Sequence, residues 1–268
     1  MNFLQQALEF IFTAENWAGP AGLAARIVEH LQYTVIAVFF SALIAVPIGM
    51  IIGHTGRGTF LVVTGVNALR ALPTLGVLLL GVLLWGLGLV PPTVALMLLG
   101  IPPLLAGTYA GIANVERTVV DAARSMGMTE TRILLRVEVP NALPLILGGL
   151  RTSTLQIVAT ATVAAYASLG GLGRYLIDGI KIREFHIALV GALMVTALAL
   201  ILDAALAFAV WLSVPGTDRL RGGLPGRGRM PQPLLGDEVA LESRSPHASA
   251  RSSGVGYERQ VPSHTVEG

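Results

Sequence analysis

The sequence predicts an all-α polytopic membrane protein with about five transmembrane helices. Two observations set the class. Of 268 residues, 53% are hydrophobic and only 13% charged, and a mean hydropathy of +0.70 leaves too little polar surface for a globular domain. The apolar residues also gather into runs of about 20, the length that crosses a hydrocarbon core of about 30 Å at 1.5 Å per residue.

The opening stretch MNFLQQALEFIFTAENW has no basic n-region and carries Glu9 and Glu15. Residues 1–30 are therefore expected to form an amphipathic interfacial segment, not a cleavable signal. A first span is expected from Leu31 to Ile52, free of charge along its length, followed by the tight polar turn His54-Thr-Gly-Arg-Gly58. From Phe60 to Val90 the apolar run is too long for one untilted helix, and Pro73 removes a backbone donor in its middle, so the second span is expected to be broken. Pro91-Pro92 opens a third helix that reaches Ile112, with an interruption expected at Pro102-Pro103. The fourth is expected over Asn141–Ala167 and the fifth over His186–Leu212. The membrane domain thus covers 31–215. Beyond Pro215 the composition turns to Pro, Gly, Ser and Arg, which bury too little apolar surface to offset ordering entropy, so 216–268 is expected to be a disordered tail.

Five spans place the termini on opposite sides, and the basic residues choose the side. With the N-terminus outside, Arg57, Arg117, Arg124, Arg132, Arg136, Arg219, Arg221, Arg227 and Arg229 fall in the cytoplasm, against Arg26, Arg174, Lys181 and Arg183 on the other face. That excess predicts an N-out, C-in protein of the cell inner membrane, with loop 114–140 and the tail in the cytoplasm.

Loop 114–140 holds the most informative stretch, Asp121 to Pro140, DAARSMGMTETRILLRVEVP. Val119, Val120, Ala123 and Met126 recur at helical spacing while Arg117, Asp121 and Arg124 point elsewhere, which makes the first half an amphipathic helix. Gly127 is placed to end it in the left-handed conformation. Thr129 then caps a second helix through Ile133, Leu134 and Val137, which Pro140 is expected to stop. On pattern alone, a partner-binding loop and a merely solvated helix–turn–helix connection both fit.

Several chemistries are excluded or disfavoured. The chain has no cysteine and one lysine, Lys181; since a phosphate-cradling loop needs Gly-Lys followed by Ser or Thr, ATP is not bound that way. There is no His-Glu-x-x-His site, no Gly-x-Ser-x-Gly elbow and no close pair of intramembrane carboxylates, so no metal, cofactor or nucleic-acid partner is expected and the chain is not expected to be an enzyme. A secondary transporter is the main rival, because broken helices at Pro73 and Pro102 suit midplane sites, but such proteins are built on internal repeats and have no need of the Asp121–Pro140 segment.

That segment resembles the cytoplasmic signature of binding-protein-dependent ABC importer permeases: Glu-Ala-Ala, three residues, Gly, nine residues, Ile-x-Leu-Pro. Asp121, Ala122, Ala123, Gly127, Val137, Val139 and Pro140 stand at those spacings, with Asp for Glu and Val for Ile and Leu. The resemblance implies a type I ABC importer permease (MetI-like) fold, a coupling helix seated in a groove of a cytoplasmic ATP-binding subunit, and a second permease subunit, identical or related. A narrower resemblance runs from Ala71 to Leu212. ALPTLGVLLL, GLGLVPPTVAL, PPLLAGTYAGI, GGLRTSTLQIVATATVAA and SLGGLGRY are similar to osmoprotectant permeases that import glycine betaine, carnitine, choline or proline betaine. Asn114-Val-Glu-Arg117 departs from the Gly or Asp-Pro that relatives often carry there. The residues after Gly216 are too few for a fused binding domain, which implies a separate extracytoplasmic substrate-binding protein. A permease for another amino-acid-like solute, such as methionine, shares the signature and stays open as the alternative.

Within the spans, Arg70, beside the Pro73 break, and Arg151 are candidates for the translocation path, since ionisable residues in the bilayer default to functional hypotheses. Arg151 has a structural alternative, in which its side chain snorkels to the headgroups. Asp203 is expected at the cytoplasmic interface. Tyr109 and Tyr166, with Trp85, offer aromatic faces to a quaternary ammonium, although aromatics in spans also serve as packing and interface anchors.

Overall fold

The computed structural model describes residues 2–167 and 169–214, the side chains of 61–63 apart; the tail 216–268 lies outside the described residues. Among the described residues the secondary structure is entirely helical. A short helix, α1 (Phe3–Phe12), and a 3-10 turn (Ala14–Trp17) precede α2 (Leu23–Thr55). Next come the pair α3 (Thr59–Ala71) and α4 (Thr74–Trp85), then α5 (Val90–Ala113). The polar loop holds α6 (Arg117–Ser125) and α7 (Glu130–Ile133). A π-helical turn (Leu134–Glu138) leads into α8 (Val139–Thr160), a 3-10 stretch (Ala161–Ala167), α9 (Gly173–Lys181) and α10 (Phe185–Ser213). Among the described residues, four helical stretches are long and apolar enough to cross a membrane, and a fifth is formed if the bent pair α3–α4 counts as one span.

The first span begins at Leu23, not Leu31, because the polar residues of its first turns find partners inside the protein. Arg26 bonds Glu29 at 2.9 Å, Glu29 accepts the Gly171 N–H at 2.6 Å, and the buried His30 lies 3.0 Å from the Val158 carbonyl through Nε2. Between Ala37 and Gly53, Ala37, Ser41, Ala45, Gly49 and Gly53 are all buried, a four-residue repeat of small side chains that lets helices approach closely within a bilayer. A Cβ on Gly49 would lie 2.8 Å from the Thr108 Cβ, and one on Gly53 2.7 Å from that of Ile112, so α2 and α5 meet almost backbone to backbone. Gly107 and Gly149 do the same for α5 and α8, where a Cβ on Gly107 would lie 2.7 Å from the Gly149 Cα.

These close approaches make α5 the central span, packed against α2, α3, α4 and α8. Its apolar window is 56% buried, against 17–22% for the other three long spans. The expected interruption at Pro102-Pro103 is absent: α5 runs through both buried prolines. Pro102 and Pro103 cannot donate to the carbonyls of Leu98 and Leu99, and hydroxyls from neighbouring helices bond the carbonyls on either side of that pair. Ser41 donates to the Met97 carbonyl at 3.0 Å and Ser153 to that of Gly100 at 2.8 Å. At Pro73, by contrast, α3 and α4 bend by 79°, because Leu72 and Pro73 leave the helical conformation altogether, with ψ of 128° and 114°. On the far side of the bundle α10 packs against α8, α9 and α1, and Ala7 of α1 is buried with Leu23 and Val190.

Candidate functional site

The loop between α5 and α8 forms a small helical platform. In α6, Val120 and Ala123 are buried with Ile133, flanked by Val115, Met128 and Val137, so an apolar seam fixes α6 to the stretch that becomes α8. The sequence pattern had put Val119 and Met126 on that same face. They are instead 42% and 75% exposed, because the seam is wide enough only for the side chains that meet Ile133.

Gly127 has φ +79°. The Met128 N–H reaches the Ala123 carbonyl at 3.3 Å and the Gly127 N–H that of Arg124 at 3.0 Å, the two hydrogen bonds of a Schellman C-cap. Glycine takes this conformation without the penalty a Cβ would add. Thr129 is the N-cap residue of α7. Pro140 does not stop the helix as expected: the chain continues from Glu130 through the π turn into α8 without a break. Pro140 is the second residue of α8 and directly follows the π turn Leu134–Glu138.

Charge organises the outer face. Arg124 forks onto Glu130, with Nε 2.8 Å from Oε1 and Nη2 3.0 Å from Oε2, and reaches Asp121 through Nη1 at 3.0 Å. Hydrogen bonding to Glu130, and then its charge, raise the Arg124 pKa above the ordinary guanidinium value. Asp121 and Ala122 are exposed while Ala123 is buried, so the signature residues divide between an outward surface and the seam beneath it. Beside α6 a cleft of about 270 Å³ is lined by Asn114, Glu116, Val119 and Asn141, among others.

Three residues at this face were not singled out by the sequence. His54, at the end of α2, lies 2.6 Å from Glu138 Oε2 through Nδ1 and 3.3 Å from Glu130 Oε2 through Nε2. Glu138 is buried. A carboxylate two residues ahead of Pro140, at the edge of an apolar run, was the available signal, since buried charges seek partners.

The candidate path residues are dispersed along the chain. Arg70 is exposed at the end of α3 and its side chain has no hydrogen bond or ion pair among the described residues, and Pro73 is the N-cap of α4. Tyr109 is half-buried on α5, while Tyr166 is 55% and Trp85 57% exposed. Arg151 does not reach outward alone. It makes a two-pronged ion pair with Asp203 of α10, at 2.5 and 2.8 Å, joining two residues the sequence treats separately.

Comparison with known proteins agrees with this architecture. The family model described as binding-protein-dependent transport system inner membrane component matches residues 45–210. The choline transport system permease protein OpuBB of Bacillus subtilis is 36% identical over 72% of this chain and 89% of its own length. The glycine betaine/carnitine/choline transport system permease protein OpuCB of the same organism is 37% identical over 67% and 82%. The osmoprotectant import permease protein OsmY of Salmonella typhimurium is 34% identical over 67% and 77%. Among solved structures, a chain of the inward-facing MetNI methionine ABC transporter superposes with a TM-score of 0.65 over 72% of this chain and 96% of its own, at 21% identity, a likeness of fold. An all-helical, multi-pass membrane chain matched by one family model over more than half its length belongs to that family, the inner membrane components of binding-protein-dependent transport systems.

Proposed function

We propose that this chain is the membrane-spanning permease of an ATP-driven osmoprotectant importer, moving glycine betaine, carnitine, choline or proline betaine from a binding protein to the cytoplasm by alternating access. The observation that carries the reading is the set of relatives named for choline, glycine betaine, carnitine or osmoprotectants, which are similar over two thirds of the chain or more. The methionine alternative is supported by solved neighbours near 20% identity, a likeness that speaks to fold alone.

In this reading the N-terminus is outside and the C-terminus cytoplasmic. The coupling helix α6, with Asp121, Ala122, Ala123 and Gly127 and with Pro140 at the return to the membrane, seats in a cytoplasmic ATP-binding subunit. The exposed Val119 and Met126 supply apolar contact and the exposed Asp121 and Arg124 supply charge. A second permease subunit completes the cavity, and a separate extracytoplasmic protein delivers the solute. Arg70, Pro73, Tyr109, Arg151 and Tyr166 are the candidates for the translocation path. The test is uptake of labelled glycine betaine, carnitine, choline and methionine by the complex reconstituted with its ATP-binding subunit and binding protein. Uptake of one or more of the first three is expected, and uptake of methionine alone would contradict the reading.

A further inference from the structure

The end of α2 is tied to the loop by one residue. Among the described residues, the hydrogen bonds and ion pairs that join α2 to residues 130–138 are those of His54, to Glu138 at 2.6 Å and Glu130 at 3.3 Å. Glu130 is in turn held by Arg124, which holds Asp121. The contacts therefore run unbroken from the coupling helix through α7 to the first span and, through Glu138, to the start of α8.

We infer that His54 is a positioning residue for transport, which with Glu138 keeps the first span attached to the loop, so that displacement of the coupling helix moves α2 together with α8. The inference rests on the proposed ATP-driven import. α8 is continuous with the loop, whereas α2, which packs along α5, meets residues 130–138 through His54, 84 residues before Glu138 in the chain. His54 itself is fixed in place, because the preceding Gly53 packs against Ile112 with no room for a Cβ. Glu138 closes the π turn Leu134–Glu138, a local widening frequent at functional sites. With the side chains of Glu138 and His54 only 6% and 13% exposed, separating them would strand a carboxylate in a poorly solvated site. The pair therefore stays closed while the loop moves.

The chain contains no cysteine, so the link can be cut and remade in one molecule. In the double variant His54→Cys/Glu138→Cys, reconstituted with the ATP-binding subunit and binding protein, the readout is labelled betaine taken up per ATP hydrolysed. Without cross-linking this ratio is expected to fall about tenfold while the ATP-binding subunit still copurifies; a short bifunctional thiol reagent is expected to restore it to within about twofold of wild type. A normal ratio before cross-linking, or a transport block after it, overturns the inference. If the double variant does not assemble, His54→Gln serves instead: a lowered ratio supports the link and an unchanged one overturns it. Absence of ATP-dependent betaine uptake by the wild-type complex would count against the proposed function itself.

Discussion

Arg151 and Asp203 stand 52 residues apart and meet through two hydrogen bonds. Removing either leaves a charge of the other sign unanswered between α8 and α10, whereas removing both leaves none. Arg151→Leu and Asp203→Leu are each expected to lower the yield of monodisperse protein severalfold, and the double substitution is expected to recover part of it; fluorescence-detected size exclusion measures this. Sequence alone could not show the pair, because a charge in a span does not reveal which helix answers it. Gly127 was legible, since a glycine closing an amphipathic turn has a specific conformational reason to be there. No atom lies within 4 Å of a Cβ built on it, so the cost of a side chain there comes from the left-handed backbone, at least about 1–2 kcal/mol, and is higher for a β-branched residue such as Val. The test is Gly127→Val. Insertion should survive while stimulation of ATP hydrolysis by the loaded binding protein falls; normal stimulation would show that the turn does not matter for coupling. Arg70, exposed and without an ion-pair partner among the described residues, offers a fixed positive charge that pairs with the carboxylate of a zwitterion and opposes a bare cation. Arg70→Gln is expected to narrow the preference for betaine over choline, read as the uptake ratio with one binding protein held constant.

At the scale of the element, span lengths followed from apolar run length, and the break at Pro73 followed from proline's missing donor and its restriction of the preceding residue. The start of α2 did not follow, because its polar turn depends on Gly171 and Val158, distant in sequence, and neither did the continuity of α5 through Pro102-Pro103 or of the helix that enters α8 through a π turn. Close helix approach gives a sharp contrast between two adjacent glycines. A Cβ on Gly149 would lie 3.1 Å from the Gly107 Cα and from the Pro103 carbonyl oxygen, while one on Gly148 meets nothing within 4 Å. Gly149→Val is expected to cost about 1–3 kcal/mol through overpacking, and Gly148→Ala to be neutral or to gain up to about 1 kcal/mol from helix propensity. Thermal denaturation of the purified protein in detergent compares the two.

For the molecule as a whole, class and family signature were legible because membrane spans and a loop signature spread over twenty residues both leave long patterns. The polar link at His54 was not, since it joins residues from three separate stretches. The tail beyond Gly222 lacks apolar periodicity, and its deletion is expected to leave assembly and uptake nearly intact. The central claim is that ATP hydrolysis by a partner, passed through the coupling loop, drives osmoprotectant import. Proteoliposomes containing the complex, loaded with ATP and supplied with binding protein and labelled glycine betaine, test it most directly. The account predicts uptake that requires ATP, stops with a non-hydrolysable analogue and persists when ionophores collapse all ion gradients. Uptake that proceeds without ATP and disappears with the ion gradients would contradict it.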